Sequence, residues 1–234
     1  MQNTEWCKNS IFCDDIKINT YFNTDPIFYF GDPNFENHVE SGDFKKYFDL
    51  PKLSFNAEEN QWSSLESLAG HEKEMGRYYR ALIEKAKLSS RDFNSIRQHF
   101  WMRSTLASPS QQIGVSFPWY DSSSEFSSIY KWIMTGTEGE HYLDVEQGWI
   151  LNGIILNGKI YLLETDDSNF NEPHLSEIYS NISFDQARAQ STIAKNIAEV
   201  QNTISKLTDE IGVDVWTKYI YANKVNFGTA EWRP

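Results

Sequence analysis

Positive charge is the first thing in short supply. Lys and Arg number 21 against 33 Asp and Glu, a formal net charge of −12. Non-specific binding to nucleic acid needs cationic groups that displace counterions from phosphates, so this balance counts against nucleic acid as a partner. Cysteine is scarcer still. Cys7 and Cys13 are the whole complement, with five residues between them. That spacing fits no common zinc or thioredoxin pattern, and both are expected to be reduced thiols, buried or half-buried. Long apolar runs are missing as well. The stretches Ile27–Phe30 and Ile160–Leu163 reach four residues each, where a membrane-spanning helix needs about 20. No signal-peptide core precedes Tyr21 and no lipidation motif is present, so a cytoplasmic location is expected, with no membrane partner. Three catalytic signatures are absent too: the G-x-S-x-G elbow, the phosphate-binding G-x-x-x-x-G-K-[ST] and G-x-G-x-x-G. No cofactor is expected.

Aromatic residues are plentiful. They make up 15% of the 234 residues, and the chain is 40% hydrophobic, too apolar for a disordered polymer. A chain of this length buries a core without disulfide staples, and a single domain spanning residues 1–234 is the expectation. The tryptophans are scattered among the expected elements, which favours core use over a platform for stacking bases.

Residues 11–30 look extended, with Asn23-Thr24-Asp25-Pro26 as a turn. A helix is expected from about Trp62, capped by Ser63 or Ser64, with a possible break at Gly70. A second follows from Ser89 or Ser90 with Asp92 in its first turn, giving a helical hairpin over about 62–103. Ile113–Phe117 reads as a short strand. Asp121 to Met134 reads as a helix stopped by Gly136. The clearest local signal is Asn157-Gly158 between Trp149–Leu156 and Lys159–Glu164, because Asn-Gly suits a type I′ turn with positive φ at both positions. The two-residue turn sets a register of Leu156 opposite Lys159, Ile154 opposite Tyr161 and Leu151 opposite Glu164. Both faces of this 149–163 hairpin are apolar, so it is expected to be covered on both sides. The longest helix should run from about 184 to 211, capped by Ser183. Ile193, Ile197, Val200, Ile204, Leu207 and Ile211 form an a/d seam on it, read as packing on the sheet, with homodimerisation through the seam as an alternative. Thr217–Tyr221 is a candidate strand. The fold class is α+β, with a central antiparallel sheet flanked by the helical hairpin and the long helix.

The acid is concentrated. Residues 138–185 hold ten Asp and Glu against one cation, Lys159. The hairpin register brings Asp144 and Glu146, before the first strand, beside Glu164, Asp166 and Asp167 after the second. Five or more carboxylates are expected to meet at the end opposite the Asn-Gly turn, with His141 and His174 flanking in sequence. Such a cluster can steer a basic protein partner. Alternatively it can hold a divalent metal through oxygen ligands, in a metal-dependent hydrolase using His141 or His174, or it can simply be solvated.

Asp144-Val-Glu-Gln-Gly-Trp149, a hairpin, Leu163-Glu-Thr-Asp-Asp167, Glu172-Pro-His174, a long helix and Gly212-x-x-x-Trp216 form a pattern over the last 90 or so residues. It resembles immunity-type proteins encoded beside bacterial polymorphic and secreted toxins. The resemblance implies a cytoplasmic, non-catalytic protein that binds and neutralises a cognate toxin, setting an acidic surface against a basic one. Carried onto this chain, the partner-binding candidates are Asp144, Glu146, Glu164, Asp166, Asp167 and Glu172. Trp149 and Trp216 are read as core anchors.

Overall fold

The Asn157-Gly158 turn forms as its chemistry demands. In the computed structural model the two residues have φ of +53° and +69°, and the register is the expected one, Leu156↔Lys159 through Leu151↔Glu164. Residues 4–26, 50–56, 61–88, 92–118, 120–166 and 177–217 are described. They divide into two compact units. The first draws on Met1–Asn19, Arg103–Tyr120 and Ser124–Ala198, and the second on Thr20–Met102, Asp121–Ser123 and Glu199–Pro234.

The strands are β1 (Ile11–Phe12), β2 (Lys17–Asn23), β3 (Trp62–Ser64), β4 (Met102–Ser108), β5 (Ile113–Val115), β6 (His141–Glu146), β7 (Trp149–Leu156), β8 (Lys159–Asp166) and β9 (Glu177–Asp185). The helices are α1 (Leu65–Leu68), α2 (Glu72–Leu88), α3 (Phe93–Ile96), α4 (Ser123–Thr135) and α5 (Gln186–Ile211). A five-stranded sheet has the order β1-β9-β8-β7-β6, and a four-stranded sheet the order β3-β2-β4-β5. The α+β class and the long helix stand. The five-stranded sheet is antiparallel except for the two-residue β1, which runs parallel to β9.

In the first unit, β7 and β8 lie inside the sheet, and their shared face of Leu151, Ile155, Ile160 and Leu162 is buried. Burying such side chains stabilises by about 1.5–3 kcal/mol each. The layer on this face is α4, through Phe126, Ile129 and Ile133, together with Ala189 and Ile193 of α5. The expectation of cover on both sides is corrected. On the opposite face Ile154 is buried, but Ile150, Leu156, Tyr161 and Leu163 are only partly so. Leu143 and Val145 on β6 are more than half exposed. An antiparallel sheet tolerates one wetter face, and apolar composition alone does not say what packs on it.

The 62–103 region differs from a plain helical hairpin. Trp62–Ser64 is a strand paired with β2, and α1 is a single turn capped by Ser64, whose hydroxyl accepts from the Ser67 N–H. Gly70 then breaks the chain at φ +85° before α2 begins. Asp92 caps α3 by accepting from the Ser95 N–H, and a 3₁₀ turn, Arg97–Phe100, replaces further α-helix. These helices pack in a core of their own rather than in the sheet's. Met75, Tyr79 and Leu82 of α2 join Phe22, Phe100, Leu207 and Trp216 there. Trp216 lies 5.1 Å from Tyr79 and 5.8 Å from Phe100 in edge-on contacts, which makes it the expected anchor.

The α5 seam serves packing within the chain. Ile193 belongs to the sheet's core, and Ile204 and Leu207 to the second core. Those three residues are buried within the chain, while Ile197, Val200 and Ile211 are partly exposed. The helix begins later than its pattern suggests. Ser183 and Phe184 belong to β9, and Asp185 does the capping by accepting from the Arg188 N–H. Cys7 and Cys13 are free thiols, half-buried and buried. Among the described residues no helix is long and apolar enough to cross a membrane. The expected strand at Thr217–Tyr221 and the extended reading of Ile27–Phe30 fall outside the described residues or at their limit.

Candidate functional site

The acidic end of the hairpin is built by four strands of the first unit. Asp144 and Glu146 do not simply precede β7; they lie on β6, a strand of its own. Gln147 and Gly148, with φ of +48° and +93°, make a second two-residue turn that folds β6 back along β7. Two cross-strand rows result. One is Glu146↔Trp149↔Asp166↔Glu177, and the next is Asp144↔Leu151↔Glu164↔Ser180. Within β6, β7 and β8 the side-chain period of two puts the residues of both rows on the sheet's packed side.

Asp144 and Glu146 are thus separated from Glu164 and Asp166 by β7. Two strand spacings put them roughly 10 Å apart. The expectation that these carboxylates converge is corrected for that reason. Among the described residues no group of three His, Cys, Asp or Glu is placed to hold a metal ion. His141 is exposed on the opposite face of β6. Asp167, Glu172 and His174 lie outside the described residues.

Glu164 is the least expected member. It is a partner-binding candidate by sequence, yet it is 1% exposed. Its carboxylate accepts from the Trp149 Nε1–H at 2.9 Å and the Ser116 hydroxyl at 2.8 Å, both at Oε1. The Ser116 N–H lies 3.3 Å from each oxygen. Oε2 therefore has one long contact. A buried charge needs hydrogen bonds or a partner, and here every donor is neutral.

The segment that brings Ser116 in is itself unusual. Phe117 sits at φ +46°, a region that bulky side chains avoid, directly before Pro118. Such strain costs about 1–3 kcal/mol. It is offset by burying the Phe117 ring, which stacks on Tyr120 at 5.5 Å and meets Phe126 edge-on at 5.8 Å.

Asp144 is half-buried and engaged within the chain. Tyr120 donates its hydroxyl to Asp144 Oδ2, and Tyr142 lies 3.1 Å from the Tyr120 oxygen. Burial first, then the Asp144 carboxylate and Tyr142, holds the Tyr120 phenol well above the usual tyrosine range. Tyr120 also meets Trp149 edge-on at 5.8 Å. Asp166 is half-buried and accepts from the Tyr179 hydroxyl at 2.9 Å, which raises the Tyr179 pKa. Tyr179 reaches it because the β8–β9 register shifts between Glu164 and Thr165. Such a bulge inserts one residue and re-aims its side chain. Glu146 is exposed.

A cavity of about 470 Å³ opens at this end, within the roughly 300–1,000 Å³ of ligand pockets. Exposed Ser116, Pro118 and Gln147 form its rim, and buried Trp149 and Glu164 its floor, with Asp166 and Tyr179 on one wall. Sequence reasoning named Glu164 and Asp166 but missed Ser116, Gln147 and Tyr179. Gln147-Gly148 between alternating segments was the available signal for β6. Nothing local pointed to Ser116. No protein-family model, curated protein or solved structure matches the chain.

Proposed function

We propose that this chain is a non-catalytic binding protein of the immunity type. It acts in the cytoplasm, where it neutralises a cognate bacterial toxin by meeting a basic surface with the acidic end of its five-stranded sheet. The observation that carries this reading is the row Glu146↔Trp149↔Asp166↔Glu177. It sets three carboxylates across one end of the sheet, with Glu146 and Glu177 exposed. An exposed acidic row attracts a basic partner and speeds encounter more than it adds final affinity. Buried Trp149 within the row and buried Leu151 in the next one give it a rigid base.

The test is to mix the purified chain with the product of its neighbouring gene and follow binding by calorimetry and stopped flow. A complex should form, and co-expression should protect cells from that product. Glu146→Lys and Glu177→Lys together should slow association, and raising salt should slow the native pair in the same way. Absence of both a complex and protection would refute the reading.

A further inference from the structure

The cavity at the acidic end has a chemistry more specific than negative charge. Its floor holds a carboxylate that is 1% exposed and has only neutral donors. A second carboxylate, Asp166, stands on its wall beside the Tyr179 ring. Beside the floor, Ser180 is the cross-strand neighbour of Glu164. Ser180 is itself 1% exposed, and its hydroxyl has no hydrogen-bond partner among the described residues. The site thus combines a buried carboxylate with neutral donors and one underused oxygen, a second carboxylate, Asp166, and the exposed Tyr179 ring.

We propose that this cavity is a receptor for a guanidinium group, filled by an arginine side chain of the protein partner. The proposal rests on the binding-protein reading above and names the partner's anchoring chemistry. A guanidinium is planar and carries five N–H donors in a fork that matches carboxylate geometry. It is less strongly hydrated than an ammonium, so it enters a half-dry site at lower cost. One face suits the exposed Tyr179 ring, where cation–π attraction adds to the charge pairing. The floor carboxylate is held by Trp149 and Ser116, so no ordering is needed when the cation arrives. Arginine is also a residue type over-represented among the energetic anchors of protein interfaces.

The test uses the full-length chain and three probes: N-acetyl-arginine amide, the lysine analogue, and the neutral isostere N-acetyl-citrulline amide. The readout is the indole N–H resonance of Trp149, assigned by Trp149→Phe, because that N–H bonds Glu164 directly. The arginine probe should shift this resonance saturably, with the lysine probe at least several-fold weaker and the citrulline probe inert. Asp166→Asn, a change at a half-exposed position, should weaken the arginine probe several-fold without altering the spectrum elsewhere. Glu164→Gln should abolish the response. If Glu164→Gln unfolds the chain, the Asp166→Asn comparison and the citrulline control carry the decision. A citrulline response equal to that of arginine, equal responses to lysine and arginine, no saturable shift, or an Asp166→Asn variant that binds as the parent does would each overturn the proposal. A neighbouring-gene complex that survives such a failure leaves the binding function standing. Arginine binding without any such complex removes the function and keeps the pocket.

Discussion

Trp149→Phe tests whether the Trp149–Glu164 hydrogen bond holds this end of the sheet together. The substitution keeps an aromatic ring in the core and removes the Nε1–H that Glu164 accepts at 2.9 Å. Both residues are buried, at 2% and 1% exposure, so only a water seated in the cavity they line replaces the lost donor. A hydrogen bond to a charged group contributes about 1.5–3 kcal/mol. Replacing indole by phenyl leaves a void worth roughly 1 kcal/mol more. The expected loss is therefore about 2.5–4 kcal/mol, measured by urea unfolding with far-ultraviolet circular dichroism. Hydrogen exchange at the β7 and β8 amides assigns the loss to the first unit. Glu164→Gln retains an acceptor for the indole and should cost less. The double variant should show a coupling energy of about 1 kcal/mol or more, as contacting buried pairs do. A Trp149→Phe loss below about 0.5 kcal/mol, the range of ordinary surface changes, would refute the idea that this bond matters.

Three further outcomes follow from the geometry of the first unit. Gly158→Ala should lower the melting temperature by an amount equal to about 1 kcal/mol, because Gly158 sits at φ +69° with open space around a Cβ, and only the backbone penalty applies. Gly153→Ala should cost about 1–3 kcal/mol by overpacking, since its Cβ would lie 2.7 Å from Trp132 Cη2 and 3.1 Å from Tyr142 Cβ; an unchanged denaturation midpoint would show that α4 yields freely. Tyr120 should ionise above the ordinary tyrosine range, because burial and Asp144 raise its folded pKa. Its contribution is complete below the unfolded value of about 10 and falls as pH rises beyond it, where the unfolded chain has already lost the proton. Alkaline unfolding curves for the parent should thus fall more steeply above that pH than those for Tyr120→Phe.

The hairpin, the α5 helix and the burial of Trp149 and Trp216 were legible in the sequence because each depends on local physics. Asn157-Gly158 dictates a turn, the turn dictates a register, and a 4-3-4-3-4 spacing dictates one helical face. The strands β6 and β9 were not legible in the same way. Tyr142, Asp144 and Glu146 alternate with Leu143 and Val145, so the packed side of an edge strand is as charged as its other side is apolar. β9 was hidden by its acidic beginning, and its end, Ser183-Phe184-Asp185, resembled a helix cap.

The fate of Glu164 shows the division most clearly. Register alone put it opposite Leu151, and composition alone marked its neighbourhood as acidic. Whether it met solvent depended on Ser116, 48 residues away in sequence, and on the strained Phe117 that aims Ser116 at it. Separation of Asp144 and Glu146 from Glu164 and Asp166 likewise depended on β7 passing between them. Local chemistry determines which residues share a strand and a face. Only the closing of distant segments against one another decides which of those residues is left in water, because desolvation is a property of what surrounds a side chain.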